Sequence, residues 1–189
     1  NRADYALALA RQLREDVNML LGWWSNEGGN FITEVCAAGN GSETFGTERE
    51  ALNALTDALF YLEKETKDMK LAIPMGLIDC AAEACPDHVE SSYANASLDH
   101  IRANLVGFDA LFAGTNDVPG FETLLSDLGA GDLAERMRSE TQRAIDAIDA
   151  IEMPLSVAVV EDPDAVLAVH EAVASVVRDL KTQFITTLD

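Results

Sequence analysis

The sequence predicts an all-α protein, an antiparallel bundle of about five long helices joined by loops and short helical turns. Three observations predict it. Apolar residues recur at three- and four-residue steps, caps and breakers fall where those stripes begin and end, and no run alternates for long enough to make a useful strand.

The elements follow in order. Tyr5, Leu9, Leu13, Val17, Leu20 and Trp24 lie on one face of a first helix that stops at Asn26-Glu27-Gly28-Gly29. Thr47-Glu48-Arg49-Glu50 has the Thr-x-x-Glu form of a capping box. Behind it Leu52, Leu55, Leu59, Leu62, Thr66 and Met69 continue the stripe until Pro74, which predicts a helix over roughly 47–72. Between Pro74 and Ala96 the periodicity lapses, and a connection of that length inside a compact domain is usually functional.

Ser97 reads as the N-cap of a helix with Ile101, Leu105, Phe108 and Phe112 inward, closed by Gly114. A short helical turn follows at Phe121, Leu124, Leu125 and Leu128. Asp132 is the expected cap of a helix carrying Leu133, Met137, Ala144, Ile148 and Ile151, ending before Pro154. Asp162-Pro163 opens the last helix, whose inner face is Val166, His170, Val173, Val177, Leu180 and Phe184. Leu155 to Val160 is apolar but too isolated to build a sheet.

The chain has 189 residues, 48% of them hydrophobic, with 13 Lys+Arg against 33 Asp+Glu for a net charge of −20. That length and apolar content predict a single bundle domain over residues 1–189 with a buried core. A nucleic-acid surface needs clustered Lys and Arg, which the chain lacks, so nucleic acid is excluded as a partner. Anionic lipid surfaces would repel the chain, and the longest apolar stretches are too short to span a bilayer. Asn1 opens the sequence with neither an initiator Met nor a signal peptide, which reads as a mature form or a fragment of something longer.

Cys80 and Cys85 lie five residues apart in a loop-like segment. They either close a small disulfide ring, contributing about 2 kcal/mol, or stay as two small unpaired hydrophobes; the ring would imply an oxidising compartment. Cys36 has no obvious partner.

Metal ligands on helices need spacings of three or four, and the three histidines fail that test with one another. His170 lies on an apolar stripe and reads as a core histidine, and His100 reads as structural. His88 and Glu90, two residues apart in the irregular connection, are the one candidate metal pair, though two ligands alone bind weakly. No nucleophile elbow occurs, and neither Cys80 nor Cys85 has the basic surroundings of an activated thiolate. Gly129-Ala130-Gly131-Asp132-Leu133-Ala134 fits a dinucleotide fingerprint but follows a helix, not a strand, and reads as a helix–helix turn.

Several runs together resemble the imelysin family. They are Glu48 to Leu55, Lys67-Asp68-Met69-Lys70-Leu71-Ala72-Ile73-Pro74-Met75-Gly76, Glu90 to Phe108, and Leu111-Phe112-Ala113-Gly114. The resemblance implies an all-helical fold of two bundle-like halves and export to the periplasm or the outer-membrane surface, often as a lipoprotein. It also implies association with iron uptake, with iron as the ligand or with iron-uptake components as partners.

Members are classed as metallopeptidases and carry Gly-x-His-x-x-Glu in their first half. That motif is absent here, and the matching runs resemble the second half, so the expectation is a C-terminal half whose missing N-terminal half is a partner. On that expectation the polar residues of the matching runs are ligand or interface candidates: Lys70, Glu90, Ser97, Arg102 and Asn104. The leading reading is a non-catalytic iron-uptake protein that binds iron, chelated iron, haem or an iron-handling partner. A metal-dependent peptidase and a helical interaction module are the alternatives. For the module, one helix face beyond those burying the core should be conspicuously apolar, with one of Trp23 and Trp24 in the core and the other at the interface.

Overall fold

The computed structural model describes residues 1–115 and 118–188. The chain gathers into two compact units, Asn1–Asp57 and Ala58–Asp189, rather than one bundle throughout.

The first unit holds α1 (Arg2–Trp24), α2 (Ile32–Cys36) and most of α3 (Glu48–Leu59), inside which the boundary falls. Gly28 and Gly29 turn the chain back on the end of α1: Gly29 N–H donates to the Gly22 carbonyl at 2.8 Å, and a Cβ on Gly28 would sit 2.0 Å from that same oxygen. Phe31 then meets the edge of Trp24 at 5.1 Å and faces Phe45 at 6.2 Å. The Glu34 carboxylate fastens the next loop by accepting from Ser42 Oγ and the Glu43 and Thr44 N–H groups. The Ser42 hydrogen bond is the first cause that holds its pKa below the ordinary value. Thr47 caps α3 by accepting from Glu50 N–H at 3.2 Å, while the Glu50 carboxylate reaches one residue further back, to Gly46 N–H.

The stripe read from the sequence of α1 is present, but nothing buries it. Tyr5, Leu9, Leu13, Val17, Leu20 and Trp24 are 45–67% exposed, and α1 has no buried residue. Periodicity marks a face, whereas burial needs a neighbour, and among the described residues of its own unit no element covers this one. Trp23 and Trp24 are both about half exposed, so neither is core.

The second unit carries the core. Its helices are α4 (Ser97–Ala113), α5 (Phe121–Asp127), α6 (Gly131–Asp149), α7 (Leu155–Glu161), α8 (Pro163–Asp179) and α9 (Ile185–Leu188), with π-helical segments at Leu62–Ala72 and Leu180–Phe184. The two-residue strands β1 (Gly114–Thr115) and β2 (Val118–Pro119) pair antiparallel and leave the architecture all-α. Ile101, Leu105 and Phe112 of α4, Met137 and Ala144 of α6, and Val166, Val169 and Val173 of α8 are sealed from solvent, and Phe184 lies on Phe121 at 5.3 Å.

Four local expectations change. Leu155–Glu161 is helical, burying Leu155, Ala158 and Val159. The N-cap of α4 is Ala96, and Ser97 is a buried first-turn residue. The N-cap of α6 is Ala130, with Asp132 in its first turn. The helix expected over 47–72 changes winding after Leu59, because the Leu62–Ala72 segment is π-helical. Its buried residues step from Leu62 to Thr66 and then by five to Leu71, with Ala72 beside it. A wider turn rotates Met69 out to 47% exposure and draws Lys70 inward, which sets up the site below.

Candidate functional site

The connection after Pro74 is shaped by its own chemistry. Cys80 and Cys85 are joined in a disulfide, closing the ring that was one of two options in the sequence. Gly76 has φ +79°, and a Cβ there would stand 2.3 Å from the Glu83 carbonyl, so only glycine lets the two strands of the loop pass. Cys85 N–H donates to the Pro74 carbonyl at 2.8 Å, which aims the Pro86–His88 turn back at the π-helical segment. Buried Val89 anchors that turn, leaving His88 and Glu90 on either side of it, exposed.

Four of the five polar candidates converge here. Lys70, whose side chain is only 12% exposed, donates to Asn104 Oδ1 at 2.8 Å and ion-pairs with Glu90 Oε2 at 3.2 Å. Its ammonium also stands 5.8 Å from the Tyr61 ring centroid. Ser97 Oγ donates to the Glu90 carbonyl. The Glu90 carboxylate further faces His100 Nδ1 at 4.0 Å, and Ser91 Oγ is 3.3 Å from the same nitrogen. Lys70 is therefore a latch tying the π-helical segment, α4 and the loop together, its charge already met by Glu90.

Arg102 is not brought to this cluster. It grips Asp149 through two hydrogen bonds, 2.7 and 3.2 Å, joining α4 to the end of α6. That pairing raises the Arg102 pKa and lowers that of Asp149.

Beside the latch lies a cleft of about 320 Å³ lined by Glu65, Met69, Lys70, Ile73, His88 and Glu90. His88 and Glu90 thus share one cleft, but among the described residues no three His, Cys, Asp or Glu side chains gather as a metal group. Sequence spacing singles out neither Glu65 nor Met69: Met69 continues the apolar stripe, and the change to π winding turns it outward. What the cleft offers is an apolar wall with carboxylates and an imidazole at its edge, a donor set that suits a ligand bringing its own coordination better than a bare ion.

His170 is not a core histidine. It is half-buried and lines a second cleft, of about 600 Å³, between α6 and α8. Its pKa is lowered, first by loss of hydration and then by the Lys67 charge, with Asp68 and Glu171 acting the other way. The neutral form is therefore favoured in the folded state. As pH falls below the ordinary value of 6.5 the unfolded chain takes up this proton first, so the His170 contribution to stability is full above that pH and is lost as pH falls through the folded pKa. Urea midpoints from pH 8 to 5 are expected to fall more steeply for the native chain than for His170→Leu; parallel curves would contradict this.

The fold is all-α, with a latched polar cluster beside an amphipathic cleft. The Imelysin family model (peptidase M75) matches residues 1–183, and the chain belongs to the imelysin family. That match spans nearly the whole chain and does not show it to be a C-terminal half. No curated protein and no solved structure matches it. Among the described residues, no helix is long and apolar enough to cross a membrane.

Proposed function

We propose that this imelysin-family chain is a non-catalytic protein of iron uptake, working in the periplasm or at the outer-membrane surface. It holds chelated iron, haem or iron itself, or an iron-handling partner, in the cleft beneath Glu90. The observation that carries the reading is the convergence of two separate family-like runs on one place. Lys70 comes from 67–76, Glu90 and Asn104 come from 90–108, and they meet at 2.8 and 3.2 Å beside a cleft edged by His88. The Cys80–Cys85 disulfide supports an oxidising compartment. A peptidase zinc site needs about three gathered protein ligands and an open position, which the described residues do not assemble.

Metal analysis of the purified chain, followed by titration with a ferric chelate and with haemin, tests this. Saturable binding is expected, weakened roughly tenfold or more in Glu90→Gln and His88→Ala, the loss of about one charge-assisted contact. No retained iron and no saturable titration would overturn it, and zinc-dependent peptide cleavage would overturn the non-catalytic part.

The α1 stripe favours a second reading, a helical interaction module. The double variant Leu13→Asp, Val17→Asp separates the two. Iron binding survives it if the cleft is the site and is lost if binding runs through a partner on α1.

A further inference from the structure

We propose that Asn40 is a self-modifying position: the Gly41 main-chain nitrogen displaces its side-chain amide, and water converts the product to an aspartyl or isoaspartyl residue. This does not rest on the iron reading, since neither residue lines the Glu90 cleft.

Asn40-Gly41 is the one Asn-Gly pair in the sequence, and it lies in the turn after α2. Main-chain bonds fasten the turn on both sides of it. Asn40 N–H donates to the Ala37 carbonyl at 2.8 Å, Ser42 N–H donates to the same oxygen at 3.1 Å, and Gly39 N–H donates to the Phe45 carbonyl at 3.2 Å. Between these anchors the Gly41 N–H meets no acceptor among the described residues, and the Asn40 side chain meets no partner there either. Both residues are exposed. Gly41 has φ +104°, and a Cβ built on it would touch nothing within 4 Å, so the space around its nitrogen is open.

Those are the conditions for ring closure. The attacking nitrogen is not engaged by an acceptor, the residue that carries it has no side chain in the way, and water reaches the amide. The Gly41 nitrogen loses its proton and bonds to Asn40 Cγ, and the Asn40 side-chain nitrogen leaves as ammonia. Water then opens the resulting succinimide at either carbonyl. Cleavage of the bond to Cγ gives aspartate, whereas cleavage of the bond to the main-chain carbonyl carbon gives isoaspartate, with the chain running through Cβ and Cγ. In sum an amide and water become a carboxylate and ammonium, with nothing oxidised or reduced.

Either product adds a negative charge beside the loop that the Glu34 carboxylate holds through Ser42 Oγ and the Glu43 and Thr44 N–H groups. The isoaspartyl form also lengthens the main chain by one atom between Ala37 and Ser42. The bond from Ser42 N–H to the Ala37 carbonyl must then close a larger ring, which loosens the clasp on Glu34.

Peptide mapping of the purified whole chain, incubated in mildly acidic and in mildly alkaline buffer, tests the chemistry. The peptide holding Asn40 is expected to gain about 1 Da and to split into two chromatographic forms, one of them methylated by an isoaspartyl methyltransferase. Conversion should be faster in the alkaline buffer, because the nitrogen attacks without its proton. Asn53, Asn95 and Asn104 of the same chain serve as internal controls, and Asn40→Gln is expected to keep the fold and show no conversion over the same period. Conversion at Asn40 no faster than at Asn95 would overturn the site. In the separated isoaspartyl form the Ser42, Glu43 and Thr44 amide signals are expected to shift while those of the second unit stay; unmoved signals would overturn the loosening of the clasp.

Discussion

Phe112→Ala is expected to lower the unfolding free energy by roughly 3–5 kcal/mol. Phe112 is wholly sealed from solvent and stacks on Phe108 at 5.7 Å, one turn earlier in α4. Truncation removes a phenyl ring from a place where α4 meets its neighbours and leaves a cavity that rigid helices cannot close. Because a domain of this size holds a net stability of about 5–15 kcal/mol, the variant should unfold at a much lower urea concentration with an unchanged slope. Leu13→Ala is the control from the first unit. The sequence offers both residues as members of an apolar helical stripe, but Leu13 is 65% exposed, so its loss should change stability by no more than about 0.5 kcal/mol. A comparable loss for Leu13→Ala would mean that α1 is buried in solution.

These two residues also mark how far the sequence could be read. The stripes of α4, α6 and α8 predict most of the core, because each helix packs against others; the exceptions are His170, which opens onto a cleft, and Ile151, which lies past the end of α6 and is half-buried. The same rule fails on α1, where Tyr5, Leu13 and Trp24 have the spacing and no cover. Winding was the second blind spot. Periodicity patterns assume about 3.6 residues per turn and so place Met69 inward, whereas the π-helical Leu62–Ala72 segment turns it out and brings Lys70 in.

Of the polar candidates, Lys70, Glu90, Ser97 and Asn104 do meet, through contacts up to 34 residues apart in sequence. Arg102 had an identical claim on paper, as a rare cation in an acidic chain. Its partner turned out to be Asp149, 47 residues away, a pairing that no local spacing reveals. The cleft that His170 lines is hidden for the same reason, since it exists only once α6 and α8 lie side by side.

Arg136→Met is expected to cost roughly 2–4 kcal/mol, far more than a surface ion pair. The Asp179 side chain is 6% exposed, and its carboxylate receives Arg136 Nε at 2.8 Å. It lies where α8 gives way to the π-helical Leu180–Phe184 segment, so the pair also holds the end of α8 against α6. Methionine keeps the aliphatic packing of the arginine stem but strands a carboxylate that water barely reaches. Two comparisons isolate the electrostatic part. Arg138→Met, which breaks a pair with Glu122 whose arginine is 55% exposed, should cost less than about 1 kcal/mol. Adding Asp179→Asn to Arg136→Met should recover part of the loss, because an amide is far cheaper to bury unpaired than a charge. Urea denaturation of the three variants reads all of this directly. Equal losses for Arg136→Met and Arg138→Met would mean that water reaches Asp179 and that the α6–α8 seam is held by its valines and alanines alone.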